Sequence, residues 1–157
     1  MQRVTNCAVI KDDKILLLQK PSRGWWVAPG GKMESGETIK ESATRECREE
    51  TGLSVIDPEL NGVYTIVIEE NGQTVSEWML FTFKAVDYSG TLLSQSPEGT
   101  LKWWKCNEVA GLPMAEGDQA FIEHVLNGKG IMFGTFYYTP DYQLLRSRLD
   151  PAPATNE

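Results

Sequence analysis

Two short apolar runs open the chain, Val4 to Ile10 and Ile15 to Gln19, with the polar stretch Lys11-Asp12-Asp13-Lys14 between them. Runs of this length bounded by turn residues predict two strands and their connection. Pro21 to Gly36 is rich in Gly, Pro and Trp and reads as loop, with one short strand at Trp26 to Ala28. The pattern then changes to a helical one over Thr38 to Thr51. Thr38 and Glu41 match the S/T-x-x-E capping box at its start, and Gly52 suits a left-handed cap at its end.

Val63 to Glu69 and Val75 to Val86 are rich in β-branched and aromatic residues, and Asn71-Gly72 between them is a strong hairpin signal. Leu101 to Cys106 reads as a further strand, Asp118 to Leu126 as a second helix ended by Asn127-Gly128, and Ile131 to Tyr138 as a last strand. From Asp150 the chain is a Pro/Ala-rich tail. Strands with two separated helices predict an α+β fold, a sandwich built on a mixed sheet.

Composition adds a boundary to this picture. At 157 residues, 41% apolar and 24% charged, the chain is expected to form one globular domain over 1–150, with 151–157 as a flexible tail. The net charge of -7 argues against a long nucleic acid or an anionic membrane as partner, since both reward a basic face. A small anionic ligand is still allowed, because a bound metal reverses the local charge. Cys7, Cys47 and Cys106 are odd in number and widely spaced, which fits a reducing, cytoplasmic setting and no disulfide framework. The start, MQRVTNCAVIKDD, has no signal-peptide pattern, and no stretch is apolar enough to span a membrane.

The helix over 38–51 carries the chemistry. At about 100° per residue, Glu46, Glu49 and Glu50 fall within one arc of roughly 100° that overlaps the arc of Ile39 and Ala43. Three carboxylates therefore sit on or beside the edge that should face the core. They repel one another and lie in the last turns, where the helix dipole disfavours negative charge. A divalent cation removes the conflict, and carboxylate oxygens suit Mg²⁺ or Mn²⁺. Gly30-Gly31 before the helix allows close backbone approach, and Glu37 with Arg45 offers an ion pair tying loop to helix.

Residues 31–53, GKMESGETIKESATRECREETGL, resemble the Nudix box, G-x5-E-x7-R-E-U-x-E-E-x-G-U, where U is bulky and apolar. Gly31, Glu37, Arg45, Glu46, Glu49, Glu50, Gly52 and Leu53 match, and Cys47 stands at the other apolar position. The order of elements is similar to the MutT-like branch, which includes hydrolases of oxidised purine nucleoside triphosphates. Ser96-Pro97-Glu98-Gly99 before Trp103-Trp104, and Phe133-Gly134-Thr135-Phe136, also resemble that branch.

The resemblance implies the Nudix α/β/α sandwich around a mixed β-sheet. It implies Gly30 (through its carbonyl), Glu46, Glu49, Glu50 and Glu98 as metal ligands, with Arg45 orienting the glutamates and Glu37 holding Arg45. Water would attack phosphorus, metal would bridge phosphate oxygens and activate that water, and either Glu46 or Glu98 would be the base. The implied activity cleaves a phosphoanhydride bond of a small nucleotide, giving a monophosphate and pyrophosphate. The first substrate expected is a guanine-type purine triphosphate, with 8-oxo-dGTP the leading specific candidate. A guanosine alarmone, an RNA 5′ end, and a nucleotide-binding Nudix module without catalysis are the alternatives. Either a monomer or a homodimer is compatible.

Outside the box, Arg23 and Lys32 flank the loop and are candidates to meet phosphates, as is Lys20. Asp118 stands where related purine enzymes put a base-reading acid, and could instead be the N-cap of the second helix. Trp25 or Trp26 could stack on a base or pack under the loop. Val27 stands where oxidised-purine enzymes often carry an Asn, a departure that bears on the oxidised-guanine assignment. His124, the only histidine, is expected to be structural.

Overall fold

The computed structural model describes residues 1–152. Its strands are β1 (Gln2–Lys11), β2 (Lys14–Gln19), β3 (Trp26–Val27), β4 (Gly30–Lys32), β5 (Leu53–Val55), β6 (Glu59–Glu70), β7 (Gln73–Ala85), β8 (Tyr88–Gly90), β9 (Thr100–Lys105), β10 (Met132–Tyr138) and β11 (Leu144–Asp150). Helix α1 spans Ile39–Thr51, α2 spans Glu116–Asn127, and a 3₁₀ turn covers Cys106–Gly111.

Nine strands form one mixed sheet, ordered β11-β10-β6-β7-β1-β2-β3, with β4 also on β1 and β9 also on β2. The pairs β1–β7 and β6–β10 are parallel and the others antiparallel. β5 and β8 make a separate two-stranded sheet. The tight turns have a local cause. Asp12 and Asp13 (φ 54° and 60°) join β1 to β2, and Asn71 and Gly72 (φ 54° and 75°) join β6 to β7. Two consecutive left-handed residues match the twist of the flanking strands.

The apolar runs of β1 and β2 follow from burial on both faces. Ala8, Ile15 and Leu17 point into a core shared with Phe121, Ile122 and Val125 of α2. Their neighbours Cys7, Val9 and Leu16 point into a second core with Ala43 and Cys47 of α1. Alternate residues of a strand face opposite sides, so a helix lies on each face of the sheet. This is the sandwich that the pattern predicts.

Helix α1 starts after Thr38 and ends at Gly52 as read from sequence, with one of the two bonds of the expected capping box formed. The Thr38 side chain accepts from the Glu41 N–H, and Gly52 takes the left-handed conformation at φ 83°. Helix α2 differs. It starts two residues earlier than expected, and its N-cap is Ala115, with no side-chain cap. Asp118 is thus a residue of the first turn and its own N–H bonds to the Ala115 carbonyl, which removes the N-cap reading. Asp150 closes β11 opposite Phe133, so the tail begins after it. Pro151 and Ala152 are exposed, and the rest of the expected flexible tail lies outside the described residues.

Candidate active site

Arg45 is the hub of the loop–helix unit. Its Nε donates to Glu37 Oε2 at 2.7 Å and its Nη2 to Glu37 Oε1 at 3.0 Å, a two-pronged carboxylate clamp. Nη2 also reaches the Lys32 carbonyl at 3.2 Å, while Nη1 bonds Glu46 at 3.0 Å and Glu49 at 3.2 Å. Glu37 Oε1 additionally accepts from the Glu34 N–H at 2.7 Å. The Arg45 hydrogen bonds, then that backbone one, hold the Glu37 carboxyl down at about 2. One side chain therefore ties the loop before α1 to two acids on α1.

The three helix glutamates are graded in burial. Glu50 is buried, Glu46 is half-buried and Glu49 is exposed. Glu50 Oε2 accepts from the Gly30 N–H at 2.7 Å, which joins β4 to the last turn of α1. Burial pushes the Glu50 carboxyl up to about 7, and the charges of Glu46 and Glu98 add to the rise. The Gly30 N–H and the Lys20 charge act the other way. Gly31 leaves room for the Glu46 carboxyl, since a β-carbon there would lie 2.7 Å from it and displace it.

Glu98 joins this acidic group from another part of the chain. Its N–H bonds the Ser96 hydroxyl in a tight loop before β9, and its carboxylate stands 3.7 Å from Lys20 Nζ. Lys20, a phosphate candidate in the sequence, is the cation facing Glu98. Its position comes from β2 meeting β9, a pairing that spacing along the chain does not show.

The donor set suits a divalent cation. Every side chain offered is a hard oxygen ligand, and the buried Glu50 gains most from an added positive charge. As the side chains stand, no three acids, histidines or cysteines among the described residues converge to hold a metal. Arg45 Nη1 instead bridges Glu46 and Glu49.

The other sequence candidates fall elsewhere. Arg23 lies over the rings of Trp25 (4.8 Å) and Tyr142 (5.1 Å) and its Nη1 reaches the Asp141 carbonyl at 3.4 Å. Lys32 is exposed and engages the site through its backbone carbonyl. Asp118 neighbours Tyr138, whose hydroxyl accepts from the Gly117 N–H at 2.7 Å, and burial pushes the Asp118 carboxyl up to about 7. Tyr138 and Trp25 both pack on Tyr142, so Arg23, Trp25, Tyr142, Tyr138 and Asp118 form one aromatic patch. Trp26 is core, edge-on to Trp104 at 5.1 Å. His124 bonds the Gly130 carbonyl at 2.9 Å, a structural role.

An arginine clamp, a glycine strand and graded acids thus meet along helix α1. The Nudix domain family model matches residues 1–125, and the chain belongs to this family as a MutT-like hydrolase. It is 55% identical over 151 residues, 96% of each chain, to the uncharacterized Nudix hydrolase YvcI of Bacillus subtilis. It superposes on the crystal structure of a mutator MutT protein from Bacillus halodurans with a TM-score of 0.95, at 59% identity, covering 98% of this chain and 100% of that one. The CTP pyrophosphohydrolase of Escherichia coli is 30% identical over 127 residues, 78% of this chain and 90% of its own. Hydrolases of this family act on phosphoanhydride bonds with divalent cations. No helix among the described residues is long and apolar enough to cross a membrane.

Proposed function

We propose that this chain hydrolyses a guanine-type purine nucleoside triphosphate to the monophosphate and pyrophosphate, with Mg²⁺ as its metal and Mn²⁺ able to replace it. The observation that carries the base assignment is Asp118. Its carboxyl, in the first turn of α2, is pushed up to about 7 by burial alone. A carboxylate held this way accepts from the adjacent N1 and N2 donors of a guanine edge. Oxidised dGTP (8-oxo-dGTP) is the first compound to try, although Val27 lacks the side-chain amide that such a base would use.

At the acidic end, Glu46, Glu49, Glu50, Glu98 and the Gly30 carbonyl would hold the metal. A cation held there would screen phosphate charge and make an attacking water more acidic. Glu46 or Glu98 would take that proton, and both carboxyls bear on Glu50 in the electrostatics of the site. Arg45 keeps Glu46 and Glu49 aligned while Glu37 keeps Arg45 in place. Lys20, beside Glu98, and the exposed side chain of Lys32 would meet the outer phosphates. Three unpaired cysteines support a reducing, cytoplasmic setting.

The reading is tested by a Mg²⁺ screen of normal and oxidised nucleoside triphosphates, with diphosphates, alarmones, sugar nucleotides and capped RNA ends alongside. Guanine-type triphosphates should lead in kcat/KM and release pyrophosphate. A lead held by CTP, by an alarmone or by an RNA end overturns it.

A further inference from the structure

One row of the sheet face under α2 is small and polar beside an apolar core. Asn6 of β1 stands in register with Gly30 of β4 on one side and Thr82 of β7 on the other. Thr82 stands in register with Gly62 of β6. Residues in register share a face, and Ala8 and Leu80, two positions along from Asn6 and Thr82, belong to the core under α2. The row therefore faces that side.

Asn6 is 8% exposed and Thr82 fully buried, yet Asn6 Oδ1 and Thr82 Oγ1 have no hydrogen-bond partner among the described residues. Folded chains leave few such atoms, and each one asks for a reason. The row is also kept thin. A β-carbon on Gly30 would lie 2.6 Å from that of Asn6, and one on Gly62 would lie 2.4 Å from the Tyr64 hydroxyl. Gly30 is the link to the acids, since its N–H holds Glu50 while its α-carbon abuts Asn6. One residue of backbone separates the buried acid from the buried amide.

We infer that Asn6, with Thr82 beside it, reads the nucleobase of the substrate. The inference rests on the reading that the substrate is a nucleotide whose phosphates lie at the acids. A neutral amide and a neutral hydroxyl match an uncharged hydrogen-bonding edge and not a phosphate. A carboxamide sets a donor and an acceptor side by side, which pairs with a base edge offering the complementary two. In the free protein the two oxygens lack partners, and a bound base supplies them. A site built this way rejects bases that leave its polar atoms unpaired. Nothing in the sequence singles out Asn6, because its meaning depends on strands β4 and β7 closing on either side of it.

The test uses the full chain with Asn6→Leu and Thr82→Val, which remove the polar atoms at nearly constant volume. kcat/KM is measured for ribo- and deoxyribonucleoside triphosphates of each base, together with the thermal midpoint of the unliganded protein. Asn6→Leu should lower kcat/KM for the favoured base by about tenfold or more and compress the ranking of bases. Thr82→Val should move the ranking the same way by a smaller factor. The midpoint should hold or rise in both, because an unpaired oxygen has gone. An unchanged ranking with a lowered midpoint overturns the inference and assigns the oxygens to a buried water. A loss confined to ribonucleotides overturns it too, in favour of the sugar. Should Asn6→Leu fail to fold, the ranking in Thr82→Val decides by the same two outcomes. If the wild-type protein hydrolyses no triphosphate, the triphosphate reading fails by itself. The variants are then ranked on base-bearing diphosphate compounds, where an unchanged ranking again overturns the role of Asn6.

Discussion

Arg45 and Glu37, eight residues apart, meet through two hydrogen bonds of 2.7 and 3.0 Å. The pair joins the loop after β4 to the middle of α1. Lysine cannot reproduce this fork, so Arg45→Lys is not a mild change. It should lower kcat by about tenfold or more and raise the Mg²⁺ concentration needed for half-maximal activity, since Glu46 and Glu49 lose their guide. Activity measured across a Mg²⁺ series decides this, and a variant with wild-type metal dependence would remove Arg45 from the positioning role.

The same pair sets an acid limit. Glu37 is held at about 2, below its ordinary 4.5. A depressed carboxylate adds stability above its unfolded value, and that stability is lost as pH falls through the folded one. Thermal midpoints of the wild type should therefore exceed those of Glu37→Gln above pH 5, and the difference should shrink between about pH 4.5 and 2. A constant difference across that range would contradict the assignment.

Glu50 behaves in the opposite sense. Its value is raised to about 7, so the folded state prefers the protonated form. The metal-free fold carries a penalty that grows as pH rises from 4.5 to 7 and is complete above 7. Glu50→Gln should thus stabilise the chelated protein at pH 8, by on the order of 3 kcal/mol, and leave its stability unchanged near pH 4. Both Glu50→Gln and Glu49→Gln should cut turnover by orders of magnitude. Retained turnover in either at saturating Mg²⁺ would show that it is not a ligand. Chelation alone should leave the wild type folded, because both cores stand without a metal.

Asp118 separates recognition from architecture. Asp118→Ala should lower kcat/KM for guanine nucleotides far more than for pyrimidine ones. Since Ala115 is the helix cap, no loss of capping energy is expected. Removing a raised carboxyl should hold or raise the midpoint above pH 7, where its charge is costly. An unchanged substrate ranking would end the base-reading role.

His124 offers a control. Its ring bonds the Gly130 carbonyl and packs against Gly128. His124→Ala should destabilise the fold by about 1–3 kcal/mol and leave the pH–rate profile in shape. A profile that changes form while the protein stays folded would put a histidine into the chemistry.

Much of this was legible in the sequence for a physical reason. Helix α1, its Thr38 cap and its Gly52 end are local signals, and the acids on its buried edge are a conflict visible from spacing alone. The turn at Asn71-Gly72 is equally local. Strands β4, β5, β8 and β11 were not legible. Gly30–Lys32 has almost no side-chain pattern, Leu53–Val55 and Tyr88–Gly90 are three residues each, and Leu144–Asp150 is an exposed edge strand rich in charge. Each is a strand because of its partner. The contacts of Arg23 with Asp141 and Tyr142 were not legible either, because only the β10–β11 turn brings those residues to it.

The parallel pairing of β1 with β7 has a consequence for how the enzyme comes into being. Gln2 to Val9 find their partners at Trp78 to Ala85, so the first strand emerges from the ribosome long before its neighbour. A nascent chain ending at Leu53 already owns every acid of α1 and the glycines of β4. It still has β1 with one edge unpaired and its apolar residues open to other chains. Catalytic competence thus arrives late in synthesis, when β7 docks and fixes the strand against which Gly30 is aligned.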